Sequence, residues 1–362
     1  MTASAPIHGA ARGRGAKSNR SGRFEATERE DYYDGWSVDD PEPPQLRDTL
    51  TAMKSRTIIA HNDSPDVGFS ASINPYRGCS HGCIYCFARP AHAYLNLSPG
   101  LDFESKIFFK PEAAQLLEAE LSNPRYVPEL IQLGGDTDIF QPAERKLRIT
   151  RSIIEVLSRF NHPVSLITKS ALILRDLDLL APMAERGLVR AAVSITSLDR
   201  KLARSMEPRA ATPERRIAAV KALAAAGVPV TVMFAPVIPG LNDHELEAVL
   251  ERAAEAGASG AGYVVLRLPL EIKDLFREWL EAERPDRARR VMSLVRQMRG
   301  GKDYDSQWGS RMKGQGPIAD LIRQRFAAAR KRYGFPEDRT PLRLDLFRVP
   351  PKAGDQIDIF GR

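Results

Sequence analysis

The residues with the clearest chemistry are three cysteines in one short stretch. Cys79, Cys83 and Cys86 are all the cysteines of the chain, and they are spaced C-x-x-x-C-x-x-C. Three thiols cannot pair into disulfides without leaving one over, and no other cysteine is present to take it. Gly78 and Gly82 allow the backbone to turn tightly between them. The stretch therefore indicates a metal centre.

Two kinds of metal centre compete for this spacing. A zinc ion would need a fourth protein ligand, for which His81 or His92 is the candidate, and zinc ligands usually come as two separated pairs. An iron-sulfur cube held by three thiolates leaves one iron open for a small molecule. The single run of cysteines favours the cluster, and zinc stays the alternative.

The spacing, with the aromatic Tyr85 directly before the last cysteine, resembles the motif of the radical S-adenosylmethionine (SAM) superfamily. The resemblance implies a 4Fe-4S cluster on the three cysteines, with the amino and carboxylate groups of SAM on the open iron. One electron from the cluster then cleaves SAM to a 5'-deoxyadenosyl radical, while the protein binds and orients the cofactors. It further implies cofactor contacts from Tyr85 and Phe87, and a reductant such as flavodoxin or ferredoxin.

Alternating apolar patterns predict the fold that positions these residues. From about residue 70 to 268, short β-branched runs alternate with longer amphipathic runs, which indicates repeated β-α units and a parallel sheet. The predicted strands are 70–76, 106–109, 130–133, 164–168, 189–195, 228–235 and 262–268. The predicted helices between them are 111–121, 143–160, 172–185, 212–226 and 243–256. Six such units predict an α/β fold, a partial (β/α)6 TIM-like barrel, with its site at the C-terminal ends of the strands.

Glycines and polar residues follow several of the predicted strands. Gly134-Gly135-Asp136-Thr137 resembles the Gly-Gly-Glu motif by which radical SAM enzymes hold the amino group of SAM, with the shorter Asp in place of Glu. The resemblance also implies that Lys169 contacts the SAM carboxylate and that Ser194 donates to the ribose or the carboxylate. It implies that Ile238 packs on adenine.

Four further segments narrow the resemblance to a bacterial radical SAM group described as DNA-repair-photolyase-like and related to spore photoproduct lyase. They are residues 72–90, 97–104, 137–142 and 206–209. The resemblance implies a DNA lesion as substrate, with modification of RNA or protein by the same radical as the second candidate. The related lyase uses a further cysteine as hydrogen donor, which this chain lacks, so Tyr263 is considered as a donor instead.

Three polar residues at predicted strand or loop ends are candidates for substrate contact. Asp138, Gln141 and Arg209 would lie at the mouth of the barrel, where polar side chains are not needed to pack the core. The alternative is that Asp138 and Arg209 form a structural ion pair or cap helices.

The composition of the chain predicts that it is divided into four segments. Residues 1–45 are rich in Gly, Ser, Arg and Pro, which predicts a disordered basic N-terminal segment that wraps the core through Tyr32, Tyr33 and Trp36. Residues 46–270 form the radical SAM core, residues 271–340 a basic helical extension, and residues 341–362 a C-terminal tail. The N-terminal segment serves either as a tether for nucleic acid or as a solubilising tail.

The positive charge of the chain lies in its C-terminal region. Residues 273–362 contain 21 Lys and Arg against 13 Asp and Glu, whereas the whole chain has 53 against 46. Cations on helices and on the loop 300–316, which carries Trp308, Arg311 and Lys313, suit a DNA backbone, although solvated helix faces are usually charged too. The contrasting class of function is a non-enzymatic, zinc-bearing nucleic-acid adaptor.

The last residues and the hydropathy complete the sequence-based expectations. Gln356-Ile357-Asp358-Ile359-Phe360 resembles the peptide with which bacterial repair proteins dock on the sliding clamp, through Gln356, Ile359 and Phe360. The alternative is an edge strand that pairs back on the domain together with residues 342–349.

No run approaches the roughly 18 apolar residues of a membrane helix, and no secretory signal is apparent. We therefore expect no membrane association and a cytoplasmic location.

Overall fold

The structure is a computed structural model that describes residues 13–27, 46–338 and 340–351. Its strands form a larger and a smaller sheet. The strands are β1 (Thr49–Ala52), β2 (Ile59–His61), β3 (Ala71–Ile73), β4 (Tyr76–Arg77), β5 (Lys106–Phe109), β6 (Ile131–Leu133), β7 (Val164–Thr168), β8 (Val189–Ser194), β9 (Val230–Val237) and β10 (Gly260–Val265).

The larger sheet has seven strands in the order β10-β9-β8-β7-β6-β3-β2. All neighbouring pairs are parallel except β2 with β3, which is antiparallel. The inner strands are mostly buried, as the unbroken apolar runs of parallel strands require. The mixed α/β fold with an open parallel sheet is therefore confirmed.

Helices cover the strands and then continue as the C-terminal extension. A 3-10 helix, Arg89–Leu95, follows the cysteines, and two more cover Ala171–Asp176 and Asp243–Glu245. The α-helices are α1 (Leu101–Ser105), α2 (Ala113–Leu121), α3 (Glu144–Leu147), α4 (Ile149–Arg159), α5 (Leu177–Glu185), α6 (Arg200–Met206), α7 (Pro213–Ala225), α8 (Leu246–Glu255), α9 (Ile272–Glu283), α10 (Pro285–Gln297), α11 (Ser310–Lys313) and α12 (Gly316–Arg332).

The predicted first strand, residues 70–76, is two strands in different sheets. β3 belongs to the larger sheet, and β4 pairs with β5 in a smaller sheet of order β1-β5-β4. Asn74 and Pro75 separate them, and Pro75 has no backbone N–H to continue a ladder. β4 thus turns the chain away from the larger sheet just before the first cysteine.

The helical extension shares a hydrophobic core with the cysteine loop. Ile84 lies in one buried cluster with Leu266, which follows β10, and with Phe276 and Trp279 of α9. The Trp279 Nε1 donates to the Ser205 carbonyl at 2.9 Å. The extension is therefore packed on the site side of the sheet.

Part of the N-terminal segment is ordered against the core. The disorder expected for residues 1–45 does not extend over residues 13–27, in which Arg14, Ala16 and Ser18 are buried. The reason is a set of hydrogen bonds to buried acceptors that the sequence does not reveal, such as Arg14 to the Glu104 carbonyl at 2.8 Å. The contacts expected from Tyr32, Tyr33 and Trp36 lie outside the described residues.

The described part of the C-terminal tail, residues 340–351, contains no strand. Its backbone bonds to loops before two strands, from Arg343 N to Gly187 O and from Arg348 N to Phe160 O, both at 3.0 Å. The Phe347 ring lies edge-on to His162, with ring centroids 5.5 Å apart. The clamp-peptide residues Gln356, Ile359 and Phe360 lie outside the described residues, so that role stays a prediction. Among the described helices, none is long and apolar enough to cross a membrane.

Candidate active site

The three cysteines lie on a tight loop at the C-terminal edge of the larger sheet. Cys79 and Cys83 are buried, Cys86 is half-buried, and all three are free thiols. The loop is fixed from both sides, because Cys79 N donates to the Phe103 carbonyl and Ile84 N to the Met206 carbonyl, each at 3.0 Å. The loop is therefore held between α1 and the C-terminal end of α6.

Burial and nearby cations act in opposite directions on the pKa of two thiols of the loop. Burial raises the pKa of all three thiols, while Lys169 acts in the opposite direction at Cys83 and Arg89 does so at Cys86. Buried thiols of this kind give up their protons to a metal, because a metal ligand must be a thiolate. Three sulfur donors with nearby positive charge and no fourth cysteine fit an iron-sulfur cluster with one open iron.

The two histidines considered as a fourth zinc ligand, His81 and His92, both make contacts within the protein. The His81 Nδ1 lies 3.2 Å from Asp138, and the His92 Nε2 lies 3.0 Å from the Lys106 carbonyl. Among the described residues, no three His, Cys, Asp or Glu side chains converge on a single metal ion. The three cysteine sulfurs would each bind a different iron atom of a cluster, so they need not converge on one point.

The Gly134–Thr137 segment lies beside the cysteine loop, as the sequence predicts. Gly134 has φ +93°, and a Cβ there would lie 2.8 Å from the Ile167 carbonyl, so the turn requires glycine. Thr137 Oγ1 donates to the Gly78 carbonyl at 2.8 Å, and Asp136 N donates to Asn74 at 2.9 Å. The Thr137 hydroxyl thus links this turn to the cysteine loop.

The side chains assigned to SAM line the same region. Lys169 Nζ lies 5.7 Å from the centre of the Tyr85 ring, directly after β7. Ser194 is buried at the end of β8, and Ile238 is fully buried after β9 in the same apolar cluster as Cys83 and Tyr85. Their roles toward SAM stay predictions, although the fold gathers these residues around the cysteines.

A buried carboxylate beside Tyr85 escaped the sequence-based assignment. Glu207 accepts hydrogen bonds from the Tyr85 hydroxyl and from Thr196 Oγ1, the latter at 2.6 Å, and pairs with Arg216. Arg216 in turn donates to the Ser194 carbonyl at 3.0 Å. Burial raises the pKa of Glu207, and the Arg216 charge opposes this. Glu207 lies within the motif at residues 206–209, but its partner Tyr85 is 122 residues away in sequence.

Phe87 differs from its neighbours because it is exposed. Its side chain is 44% exposed although it directly follows Cys86. The Arg267 guanidinium, just after β10, lies 4.9 Å from the centre of the Phe87 ring. The Nε of Arg267 is buried and has no hydrogen-bond partner among the described residues. The Arg267 cation thus lies over an exposed aromatic ring beside the last cysteine.

The three substrate-contact candidates are all engaged within the protein. Asp138 accepts from Thr168 Oγ1 and from Lys169 N, both at 2.7 Å, and its pKa is held well below the usual range by His81 and these bonds, against the effect of burial. Gln141 is buried and accepts from Ser80 N at 3.0 Å. Arg209 pairs with Asp48.

These contacts assign the Asp138 and Gln141 side chains to internal bonds that fix loops, because the Asp138 side chain is only 9% exposed and Gln141 is buried. The alternative ion pair between Asp138 and Arg209 is wrong, since each has another partner. Tyr263 is buried against Phe326 of α12, with ring centroids 4.6 Å apart, and Lys313 Nζ lies 3.6 Å from its ring centre. It faces the helical extension, which argues against a role as hydrogen donor.

Comparison with known proteins agrees with this geometry. The sequence profile of the Radical SAM superfamily matches residues 73–253. An uncharacterized protein of Mycobacterium tuberculosis strain H37Rv is 39% identical over 230 residues, 63% of this chain and 68% of that protein. An uncharacterized protein of Methanocaldococcus jannaschii is 28% identical over 200 residues, 55% of this chain and 73% of that protein.

Among solved structures, spore photoproduct lyase complexed with dinucleoside spore photoproduct has the same fold. It superposes with a TM-score of 0.58 at 16% identity, covering 78% of this chain and 79% of that chain. The profile match includes the cysteine loop and four of the six parallel strands of the larger sheet, β6 to β9. The chain therefore belongs to the radical SAM superfamily, and it is an enzyme whose cofactors are a 4Fe-4S cluster and SAM.

Proposed function

We propose that this radical SAM enzyme acts on nucleic acid, with a lesion in DNA as the leading substrate. The observation that carries the proposal is the Phe87–Arg267 stack beside the last cysteine. An exposed aromatic ring under a guanidinium suits a nucleobase, which stacks on both groups. The similar fold of a lyase complexed with a dinucleoside photoproduct supports the same class of substrate.

Some residues of the site would hold the cofactors, and others exclude water from it. Cys79, Cys83 and Cys86 would hold the cluster, and the bound cofactors supply a 5'-deoxyadenosyl radical that abstracts a hydrogen atom from the substrate. The Gly134–Thr137 turn would receive the SAM amino group, and Lys169 its carboxylate. The packing of Ile238 and Tyr85 around Cys83 keeps this part of the site dry.

The electrostatics of the C-terminal extension support a polyanionic substrate. Arg267 lies against α11, where its NH1 is 3.6 Å from the Met312 sulfur. The segment 300–316 around it presents Lys302 and Trp308, the latter 57% exposed. Cations next to an exposed aromatic side chain match the phosphates and bases of a single strand or an unpaired nucleotide.

Modification of RNA or of protein by the same radical is the second candidate. RNA would use the same stack and the same cations, whereas a protein substrate would not need a stacking platform. The non-enzymatic zinc adaptor is overturned, because the chain belongs to an enzyme superfamily with iron-sulfur chemistry. We place the enzyme in the cytoplasm, where a reducing environment suits a cluster that must be reduced.

The test measures the binding of nucleic acid by matched variants. Labelled single-stranded DNA, ultraviolet-irradiated DNA, RNA and an unrelated acidic peptide would be titrated against wild type, Phe87→Ala and Arg267→Gln, with Tyr94→Ala as the control for an exposed aromatic elsewhere. We expect both site variants to weaken DNA binding by about 1–3 kcal/mol and Tyr94→Ala to match wild type. Equal binding by all four proteins would contradict the proposed substrate class.

A further inference from the structure

The described part of the N-terminal segment packs directly on the cysteine loop. We call residues 13–27 the N-terminal strap. A Cβ added to Gly15 would lie 1.9 Å from the carbonyl oxygen of Gly82, which stands between the first two cysteines. A Cβ added to Gly82 would lie 2.6 Å from the Glu104 carboxylate. Strap, cysteine loop and Glu104 therefore meet with no room for a methyl group.

Glu104 is the residue that joins the strap to the loop. Its two carboxylate oxygens accept the backbone N–H groups of Gly15 and Ala16, at 2.9 and 2.7 Å. The same carboxylate pairs with Arg89, and both side chains are completely buried. Removing the strap would leave Glu104 without two of its donors.

Arg89 links Glu104 to the backbone of the cysteine loop. Its guanidinium donates to the Cys83 carbonyl at 2.9 Å and to the Gly82 carbonyl at 3.2 Å. It also donates to the Pro99 and Gly100 carbonyls at 3.0 and 2.9 Å. The orientation of Arg89, and with it the loop between the first two cysteines, thus depends on a carboxylate that the strap completes.

Ion pairs anchor the rest of the strap to α9. Lys17 pairs with Glu283 at 2.6 Å, Ser18 Oγ donates to Glu278 at 2.7 Å, and Arg23 pairs with Glu271 at 2.8 Å. A segment with almost no aliphatic residues gains little from burial. These polar contacts, together with the bonds to Glu104, are what order it.

We propose that the N-terminal strap is a positioning element of the cluster site. Through Glu104 and Arg89, it holds the cysteine loop in the conformation that binds the cluster, and it covers the Gly82 side of that loop. The inference rests on the assignment of Cys79, Cys83 and Cys86 as cluster ligands. Residues outside the ligand set that fix its geometry change metal affinity by about 10–100-fold when they are mutated.

The test compares Gly15→Ala with Gly68→Ala, a glycine at which an added Cβ meets nothing within 4 Å. Both proteins are reconstituted anaerobically, and the rate of iron release to a ferrous-iron chelator is measured with the electron paramagnetic resonance spectrum of the reduced cluster. We expect Gly15→Ala to release iron about tenfold faster or more and to show an altered spectrum. Gly68→Ala should behave as wild type, and equal release rates in both variants would overturn the proposal.

Two further variants keep the test decisive if Gly15→Ala does not fold. Lys17→Ala combined with Arg23→Ala loosens the strap at α9 without touching Glu104, and it should speed iron release while the thermal midpoint of the apoprotein stays unchanged. A release rate equal to that of wild type in this double variant would also overturn the proposal. Iron binding by a Cys79, Cys83, Cys86 triple Ala variant is measured beside them, and retention of a full cluster there would refute the ligand assignment instead.

Discussion

At the scale of residues, buried charges around the cysteine loop occur as pairs that also bind backbone. Arg89 with Glu104 and Arg216 with Glu207 are two such pairs. A buried pair gives little net stability, but removing one partner leaves an uncompensated charge in the core. These pairs therefore act as fixed points for the loop and for Tyr85.

Replacing Glu207 with Gln tests this role. We expect Glu207→Gln to destabilise the apoprotein by about 3–5 kcal/mol in urea unfolding, because Arg216 loses its counter-charge in a fully buried position. The matched control is Glu214→Gln, which breaks an exposed pair with Arg200 and should cost less than about 1 kcal/mol. Equal losses in the free energy of unfolding would mean that the buried pair matters no more to stability than the exposed pair does.

A buried histidine predicts a dependence of stability on pH. Burial lowers the pKa of His162 to about 4 in the folded state, against about 6.5 in the unfolded chain. The unfolded state therefore binds the proton more readily, and stability falls as the pH drops from 6.5 toward 4. At pH 5 the loss is about 2 kcal/mol relative to neutral pH.

The measurement is urea unfolding at pH 7.5 and pH 5.0 for wild type and His162→Gln. The variant has no such titration, so it should lose about 2 kcal/mol less than wild type over this change. The difference isolates His162, since His92, whose pKa burial also lowers to about 4, is present in both proteins. Identical pH dependence of the two proteins would count against a buried neutral His162.

At the scale of elements, a polar link connects the two edges of the open sheet. Asp66 lies on the loop between β2 and β3, at one edge, and accepts from Gly309 N at 2.6 Å and from Arg311. α11, which contains Arg311, packs beside β10 at the other edge, where Lys313 donates to the Tyr263 carbonyl at 2.7 Å. The link therefore closes the open side of the partial barrel.

Breaking this link should loosen the segment 300–316. In Asp66→Asn, Arg311 loses its counter-charge, and amide hydrogen exchange of residues 302–316 should become faster while that of β7 and β8 stays unchanged. Asp63→Asn, on the same loop, is the control. Unchanged exchange in residues 302–316 would show that α11 is held without the charge of Asp66, by contacts such as that of Lys313 with the Tyr263 carbonyl.

The elements also show how far sequence patterns reach. β6, β7 and β8 are predicted closely because their buried apolar runs have the length and composition of inner parallel strands. β1 and β2 were not predicted, since β1 is exposed and both are too short to show a period. The predicted helix 143–160 is broken into α3 and α4 at Arg148. This residue has a φ of 52°, and no local sequence pattern predicts that conformation.

At the scale of the whole molecule, the helical extension is part of the core rather than an appendage. Phe276, Trp279 and Leu280 of α9 are buried in the cluster that contains Cys83. Removing residues 273–362 would expose them, so charge substitutions test nucleic-acid binding more cleanly than truncation does. The three cysteines are assigned as cluster ligands from their spacing and from the family resemblance that it carries, whereas the Glu104 and Glu207 networks join residues that only the fold brings together.

Salt dependence gives the whole-molecule prediction for nucleic acid. Each cation that neutralises a phosphate on single-stranded DNA contributes about 0.7 to the slope of log K against log salt concentration. Arg267→Gln and Lys302→Gln should each lower that slope by about this amount, and Lys221→Gln on α7 should leave it unchanged. Equal slopes in all variants would place the DNA backbone elsewhere on the protein.

The most direct test of the account measures 5'-deoxyadenosine. Anaerobically reconstituted wild type and the Cys79, Cys83, Cys86 triple Ala variant would be reduced with dithionite and supplied with SAM, with and without ultraviolet-irradiated DNA. The account predicts a cluster and 5'-deoxyadenosine from wild type and neither from the variant. Equal production by both proteins, or none from wild type that holds an intact, reduced cluster in the presence of SAM and DNA, would contradict it.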